Sequence, residues 1–390
     1  MAPFAETTES RSMKKNVFLF LCFTAVACTE YINETPAPPA GPVTELSLSD
    51  LARTISELPI RQDQMNEVYQ AVCASSANGY DEEYMMSDLI NSPGRGVGAK
   101  SDGTKAVRYQ TPLRDLLVDH LSQKYSDTKA GAAEVESYIN SLLESGTQIY
   151  WPYSEDWDGR TLPVVTFDPG YGAESNYGYE ITLDNSGARV VDSVYVDENL
   201  AKVRPVWVIN KNEDSAFTPL DFYEQETKAA SAKEPVRQLT LKNFTMLRNY
   251  DSWFAGASEF FIKCGSASGF KASTDEELKK YYPSITDFMI VVKRKDVGVT
   301  IPFDCMLVSD FTSQIDKIAL MITEDDGGTT TDWKCSASVK YNSKAYGFDL
   351  NLPYKDKDDI VWRGQLASSF FNDEEVEARL GDVIVTFNLK

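Results

Sequence analysis

The chain has 390 residues, 59 acidic against 38 basic side chains for a formal net charge of −21, and 42% hydrophobic residues. That length exceeds one ordinary core and predicts two or three domains. Gripping nucleic acid requires a basic face, so the acidic excess excludes that partner, and the same field opposes contact with anionic lipid headgroups.

Met13 to Cys28 reads M-K-K-N-V-F-L-F-L-C-F-T-A-V-A-C. Lys14 and Lys15 make a basic start, Val17 to Ala27 an apolar run, and small residues precede Cys28, the layout of an export signal over residues 1–27. At ~1.5 Å per residue that run covers about half of a ~30 Å hydrocarbon core, too little for a permanent span. Glu6 and Glu9 fit poorly ahead of the lysines, which points to Met13 as the true start. The ending Ala25-Val26-Ala27-Cys28 resembles the lipobox of bacterial lipoproteins, with Ala25 where leucine is usual. The resemblance implies cleavage before Cys28, lipid attachment at Cys28, and an exported chain anchored through that lipid at the outer membrane or cell surface of a Gram-negative bacterium. Residues 28–44, with prolines at 36, 38, 39 and 42, then form a lipidated, extended tether.

From 45 to 146 the hydrophobic period is helical. Leu48, Leu51, Ile55 and Leu58 make one stripe, with Ser47 or Ser49 as cap and Pro59 as stop. Met65, Val68, Tyr69 and Val72 make a second, ended by Asn78-Gly79. A short helix over Asp81 to Ile90 follows. Thr111-Pro112 opens a fourth ahead of Leu113, Leu116, Leu117 and Leu121, and Val135, Tyr138, Ile139, Leu142 and Leu143 mark a fifth. Together they predict a small helical bundle with its own core. The loop holding Gly94, Gly96, Gly98 and Lys100 lacks phosphate-cradle spacing and reads as surface. The single histidine, His120, lies on a helical stripe, so H-E-x-x-H zinc chemistry is excluded and conventional hydrolase machinery is nearly absent.

Past Gly146 the period becomes two. Residues 163–167, 177–183, 188–196 and 205–209 read as strands of a β-rich segment over 147–216, with Asp184 to Gly187 as a hairpin turn, and 217–236 reads as a linker. Eight further strands within 237–390 predict an antiparallel β-sandwich. The fold class is thus α+β and multidomain: a small helical bundle, then an antiparallel β region ending in a sandwich. Of the six cysteines, Cys22 leaves with the signal and Cys28 is acylated. Cys73, Cys264, Cys305 and Cys335 match no metal-ligand spacing and are read as buried thiols or a bridge.

Two clusters carry candidate chemistry. Trp151, Glu155, Asp156, Trp157 and Asp158 set aromatic planes beside acids, a mix suited to stacking on a glycan, to a carboxylate pair for glycoside hydrolysis, or to a buried junction. Asp325 and Asp326 in one loop and Asp356, Asp358 and Asp359 in another, offset by Lys355 and Lys357, are similar to the acidic loops of C2-type modules. That resemblance implies calcium shared among aspartates of both loops. No other cofactor is expected. The expected role is a membrane-anchored envelope lipoprotein acting as a binding or scaffold module for a glycan or envelope protein. The alternatives are a carboxylate-based glycan-active enzyme and a structural envelope or pilus component.

Overall fold

Ser47 caps the first helix, its hydroxyl accepting from the Asp50 N–H at 3.4 Å. In this computed structural model residues 47–91, 112–126, 131–183, 189–212, 236–371 and 375–390 are described. The signal, Cys28, the tether, the Lys100 loop, the Asp184 to Gly187 turn and residues 217–235 of the expected linker lie outside them. No helix among the described residues is long and apolar enough to cross a membrane.

Helices α1 (Leu48–Glu57), α2 (Gln62–Ala77), α3 (Met86–Ile90), α4 (Pro112–Lys124) and α5 (Gly131–Glu144) follow the predicted stripes. Gly79 takes the left-handed turn after α2 at φ 83°. The helix expected over Asp81 to Ile90 is shorter. Its first part is strand β1 (Glu83–Met85), drawn into a ladder with β2 (Thr147–Tyr150) by the Tyr84–Ile149 pairing. Three residues of E-Y-M carry too little period to announce a strand. Tertiary pairing decides it.

Strands β1 and β2 open a six-stranded sheet with β3 (Val164–Phe167), β4 (Ser175–Leu183), β5 (Arg189–Asp197) and β6 (Val206–Lys211), in the order β1-β2-β6-β3-β4-β5. Its pairs are antiparallel except β3 with β6. Alternation sends Val165, Trp207 and Ile209 to one face and Val164, Val206 and Val208 to the other, and all six are fully buried. The helices cover the first face, where Leu51, Ile55, Met65, Val68, Leu117 and Leu121 join Ile149, Trp151, Trp207 and Ile209 in one apolar cluster.

At the expected boundary, Gly146, the change of period marks the step from a helical layer to the sheet beneath it, and the described helix residues share their apolar cluster with that sheet. Expressed alone, residues 45–146 should therefore be insoluble or unfolded by circular dichroism, since each stripe side chain stripped of its sheet loses ~1.5–3 kcal/mol of burial. A cooperatively melting fragment would contradict the shared core.

Residues 237–390 build two antiparallel sheets. One has the order β10-β7-β16-β15 and the other β13-β12-β11-β8-β9, with β14 also paired to β11. The strands are β7 (Leu239–Met246), β8 (Ser258–Ser266), β9 (Ser284–Val292), β10 (Ile301–Val308), β11 (Ile315–Glu324), β12 (Thr330–Tyr341), β13 (Lys344–Lys355), β14 (Asp359–Ala367), β15 (Glu375–Leu380) and β16 (Val383–Leu389). Leu241 and Phe244 of β7 and Val385 and Phe387 of β16 share one core with Phe260 and Ile262 of β8 and Leu320 and Ile322 of β11. The Phe244 and Phe260 rings meet 4.9 Å apart, as fits a β-sandwich. Cys73, Cys264, Cys305 and Cys335 are all free thiols.

The loop from β7 to β8 reaches the uncovered face of the first sheet. Trp253 and Phe254 plug against Tyr150, Val164, Val196, Val206 and Val208, and the Trp253 indole N–H donates to the Glu174 carbonyl at 3.0 Å. Asn210 Nδ2 donates to the Phe254 and Ala255 carbonyls at 3.1 and 2.7 Å. A basic segment after β9 adds charge pairs: Lys293 with Glu82 at 3.4 Å, Arg294 with Glu198 at 3.3 Å, and Lys295 with Glu155.

Candidate functional site

Beside this plug lies a cleft of about 450 Å³ whose walls carry Asp81, Glu83, Asp168, Asp251, Glu259, Asp325 and Asp326, with Lys211 opposing them. One wall is the rim of the first sheet and the other the loop ends of the sandwich. Asp81 is 5% exposed, and its Oδ2 accepts the Ala257 N–H at 2.9 Å. Gly256, at φ 129°, passes so close that a Cβ there would meet this oxygen at 3.0 Å.

The densest charge sits on the sandwich side. Carboxylate oxygens of Asp251, Glu259 and Glu324 all lie within 4.8 Å of one another. Antiparallel pairing of β8 with β11 sets Glu324 opposite Phe260, and the Asp325 N–H donates to the Glu259 carbonyl at 3.0 Å. Asp251 is held beside β8 because the Tyr250 N–H donates to Ser258 Oγ at 3.2 Å and Arg294 Nη1 donates to the Asp251 carbonyl at 2.7 Å.

Glu324 ends the buried run I-A-L-M-I-T-E and is 0% exposed. Neither of its carboxylate oxygens receives a hydrogen bond, nor does Asp251 Oδ2. The group Glu324 faces is the Asp251 carboxyl, an acceptor like itself unless one proton is shared. Burial, then a hydrogen bond shared with the Asp251 carboxyl, then the Asp251 and Glu259 charges, push Glu324 far above the ordinary carboxylate range. Burial and the nearby Asp326 and Asp325 also raise Asp251, against the pull of Arg294. At an effective dielectric of ~20, two like charges at such spacing repel by roughly 3–4 kcal/mol. The trio must take up a proton or a cation.

The residues expected from sequence are placed differently. Trp151 is 1% exposed inside the helix–sheet core, with the Trp157 ring at 5.4 Å and the Trp207 ring at 6.0 Å, so it has no face for a sugar. Trp157 donates to the Thr161 carbonyl at 3.0 Å. Asp158 accepts from the N–H groups of Arg160 and Thr161, both at 2.8 Å, closing a turn that lowers its pKa. Glu155 is bound to Lys295, and Asp156 is exposed at the same junction. Trp151, Asp156, Trp157 and Asp158 line a small pocket of about 100 Å³ together with Tyr153 and Lys202, while Glu155 ties the junction to Lys295.

The two acidic loops do meet: the Asp358 carboxyl lies against the Asp325 carboxyl, while Asp356 and Asp359 have other partners. Asp325 pairs with Lys355, and Asp358 accepts the Lys355 N–H at 2.9 Å. Asp356 accepts the Thr329 N–H at 2.8 Å, and Asp359 lies 3.8 Å from Arg248. Asp325 and Asp326 remain at the cleft wall, while Asp251, Glu259 and Glu324 were not foreseen. The usable signal was a glutamate closing an otherwise apolar strand, a placement rare for an unpaired charge. His120 lies 3.5 Å from Glu57 on the helical layer.

No family model matches the chain, and no curated protein matches it. Among solved structures it is similar to one titled "Structure of Drosophila C2-DSL-EGF1", at 9% identity and a TM-score of 0.16, over 40% of this chain and 65% of that one.

Proposed function

We propose that the chain is an exported lipoprotein, held at the cell envelope through an acyl group on Cys28, whose folded body is a binding module with the acidic cleft as its ligand site. The observation that carries the reading is the stretch from Lys14 to Cys28, a basic start, an apolar run and a small-residue approach to cysteine, followed by the proline-rich segment to residue 44. With so acidic a chain, the lipid must supply the membrane affinity that no basic patch offers. The cleft supports the binding reading by its walls, which carry seven carboxylates with Gln148, Asn212, Tyr171 and Lys211 beside them. A ligand drawn to such walls carries positive charge or many hydroxyl donors.

Cys28→Ala should move the protein from the membrane fraction to the soluble fraction and abolish palmitate labelling, while the folded body keeps its circular dichroism spectrum. Continued partitioning with membranes would refute the anchor.

A further inference from the structure

A buried carboxylate that receives no hydrogen bond is seldom tolerated unless something charged meets it. Glu324 is fully enclosed at the end of β11, and both of its oxygens lack a donor. They face the Asp251 carboxyl, which can hydrogen-bond them only through one shared proton, and Asp251 Oδ2 receives no other donor. Surrounding acids each have at least one protein donor: Lys355 serves Asp325, the Ala257 N–H serves Asp81 Oδ2, and the Thr329 N–H serves Asp356; Glu324 is the carboxyl with neither oxygen served. Arg294 donates its hydrogen bonds to the Asp251 carbonyl and to Glu198 rather than to these carboxylates.

We infer that Asp251, Glu259 and Glu324 form a calcium site at the inner wall of the cleft. Their oxygens fall within 4.8 Å of one another, and a calcium ion bonded at ~2.4 Å to two opposed oxygens separates them by about that distance. The donor set is all oxygen, hard and anionic, which selects calcium over zinc or copper. Three side chains fill part of the six to eight positions calcium takes. Water at the open side of the cleft, whose wall Asp326 also lines, would supply the rest. Asp251 comes from the loop carrying the Trp253 plug, Glu259 from β8 and Glu324 from β11, so the ion would pin that loop to the sandwich. The site differs from the Asp356, Asp358 and Asp359 loop, where Asp356 accepts the Thr329 N–H, Asp358 accepts the Lys355 N–H and Asp359 pairs with Arg248.

This inference deepens the binding-module reading by naming the ligand of its cleft. The test is calorimetric titration of calcium chloride into the purified, chelator-treated full chain in detergent, beside Glu324→Gln and Asp251→Asn. The expected result is one calcium per chain, a higher melting temperature with calcium, and affinity weakened roughly 10-fold or more in each variant. Both substitutions keep side-chain shape and remove mutual repulsion, so without calcium the variants should melt at or above the wild type. No saturable calcium binding by the wild type, or binding unchanged in both variants, overturns the site. The titration is independent of where Cys28→Ala fractionates, so either idea can fail while the other stands.

Discussion

Trp253→Ala is expected to lower the stability of the folded body by about 3–5 kcal/mol, the usual range for deleting a fully buried tryptophan. The side chain is 0% exposed, its ring lies 4.0 Å from that of Phe254, and its N–H donates to the Glu174 carbonyl. Removing it opens a void against Val164, Val206 and Val208, strand residues that cannot close up without breaking sheet register. A domain stable by ~5–15 kcal/mol overall cannot lose that much quietly. Urea melts should show a clearly lower midpoint with the slope unchanged, and Trp253→Phe should recover part of the loss. A cost below about 1 kcal/mol would mean that the plug does not join the layers.

Glu67 makes the second large prediction. It is 3% exposed on α2, its Oε2 accepts the Leu113 N–H at 2.7 Å at the start of α4, and Tyr84 donates to its Oε1 at 3.0 Å. A carboxylate from one helix thus caps the next. Burial nevertheless dominates those hydrogen bonds and raises its pKa from the ordinary 4.5 to about 7. A raised carboxyl holds its proton longer in the folded state than in the unfolded chain. Its contribution is therefore fully present below about pH 4.5 and is lost as pH rises to about 7. The shift corresponds to roughly 3 kcal/mol. Glu67→Gln keeps the shape and one acceptor but cannot ionise, so urea stability measured from pH 4 to pH 8 should lose that part of its slope. The variant should match wild type at the acid end and exceed it at the basic end. Parallel curves would assign the pH dependence to other groups.

Elements were legible where one face of a segment is buried against one partner layer. The α1 and α2 stripes, the Pro112 start of α4 and the long sandwich strands all show their period directly. What stayed hidden was decided by non-local partners. In β10, Pro302 interrupts the run and is tolerated because the strand is at a sheet edge; the E-V-E-A-R-L of β15, also an edge, alternates with charges that read as surface. The acids of the calcium trio come from a loop and two strands, with Glu259 and Glu324 brought together by the β8–β11 register. Loop acidity at Asp325 and Asp356 was visible in the sequence, whereas burial of Glu324 was not, because its neighbour across the sheet is 64 positions away. The Trp151 cluster misled for the converse reason. Aromatics beside acids look alike in a binding groove and in a buried joint, and only the Lys295 and Trp207 contacts tell them apart.

Strand β16 lies between β7 and β15, so the centre of one sandwich sheet is closed by a segment far along the chain from its partner: Thr240 Oγ1 donates to the Asn388 carbonyl across 148 positions. Such pairings are slow to find, because the loop must close before the contacts reward it. Until Val383–Leu389 has been synthesised, β7 keeps one open edge, and the sandwich cannot lock during translation. A nascent chain that stays unfolded until so late is still threadable through a narrow translocation channel, and it presents sticky strand edges to whatever holds it on the way. The topology that makes the finished body hard to open also delays its completion, which is compatible with the export proposed above.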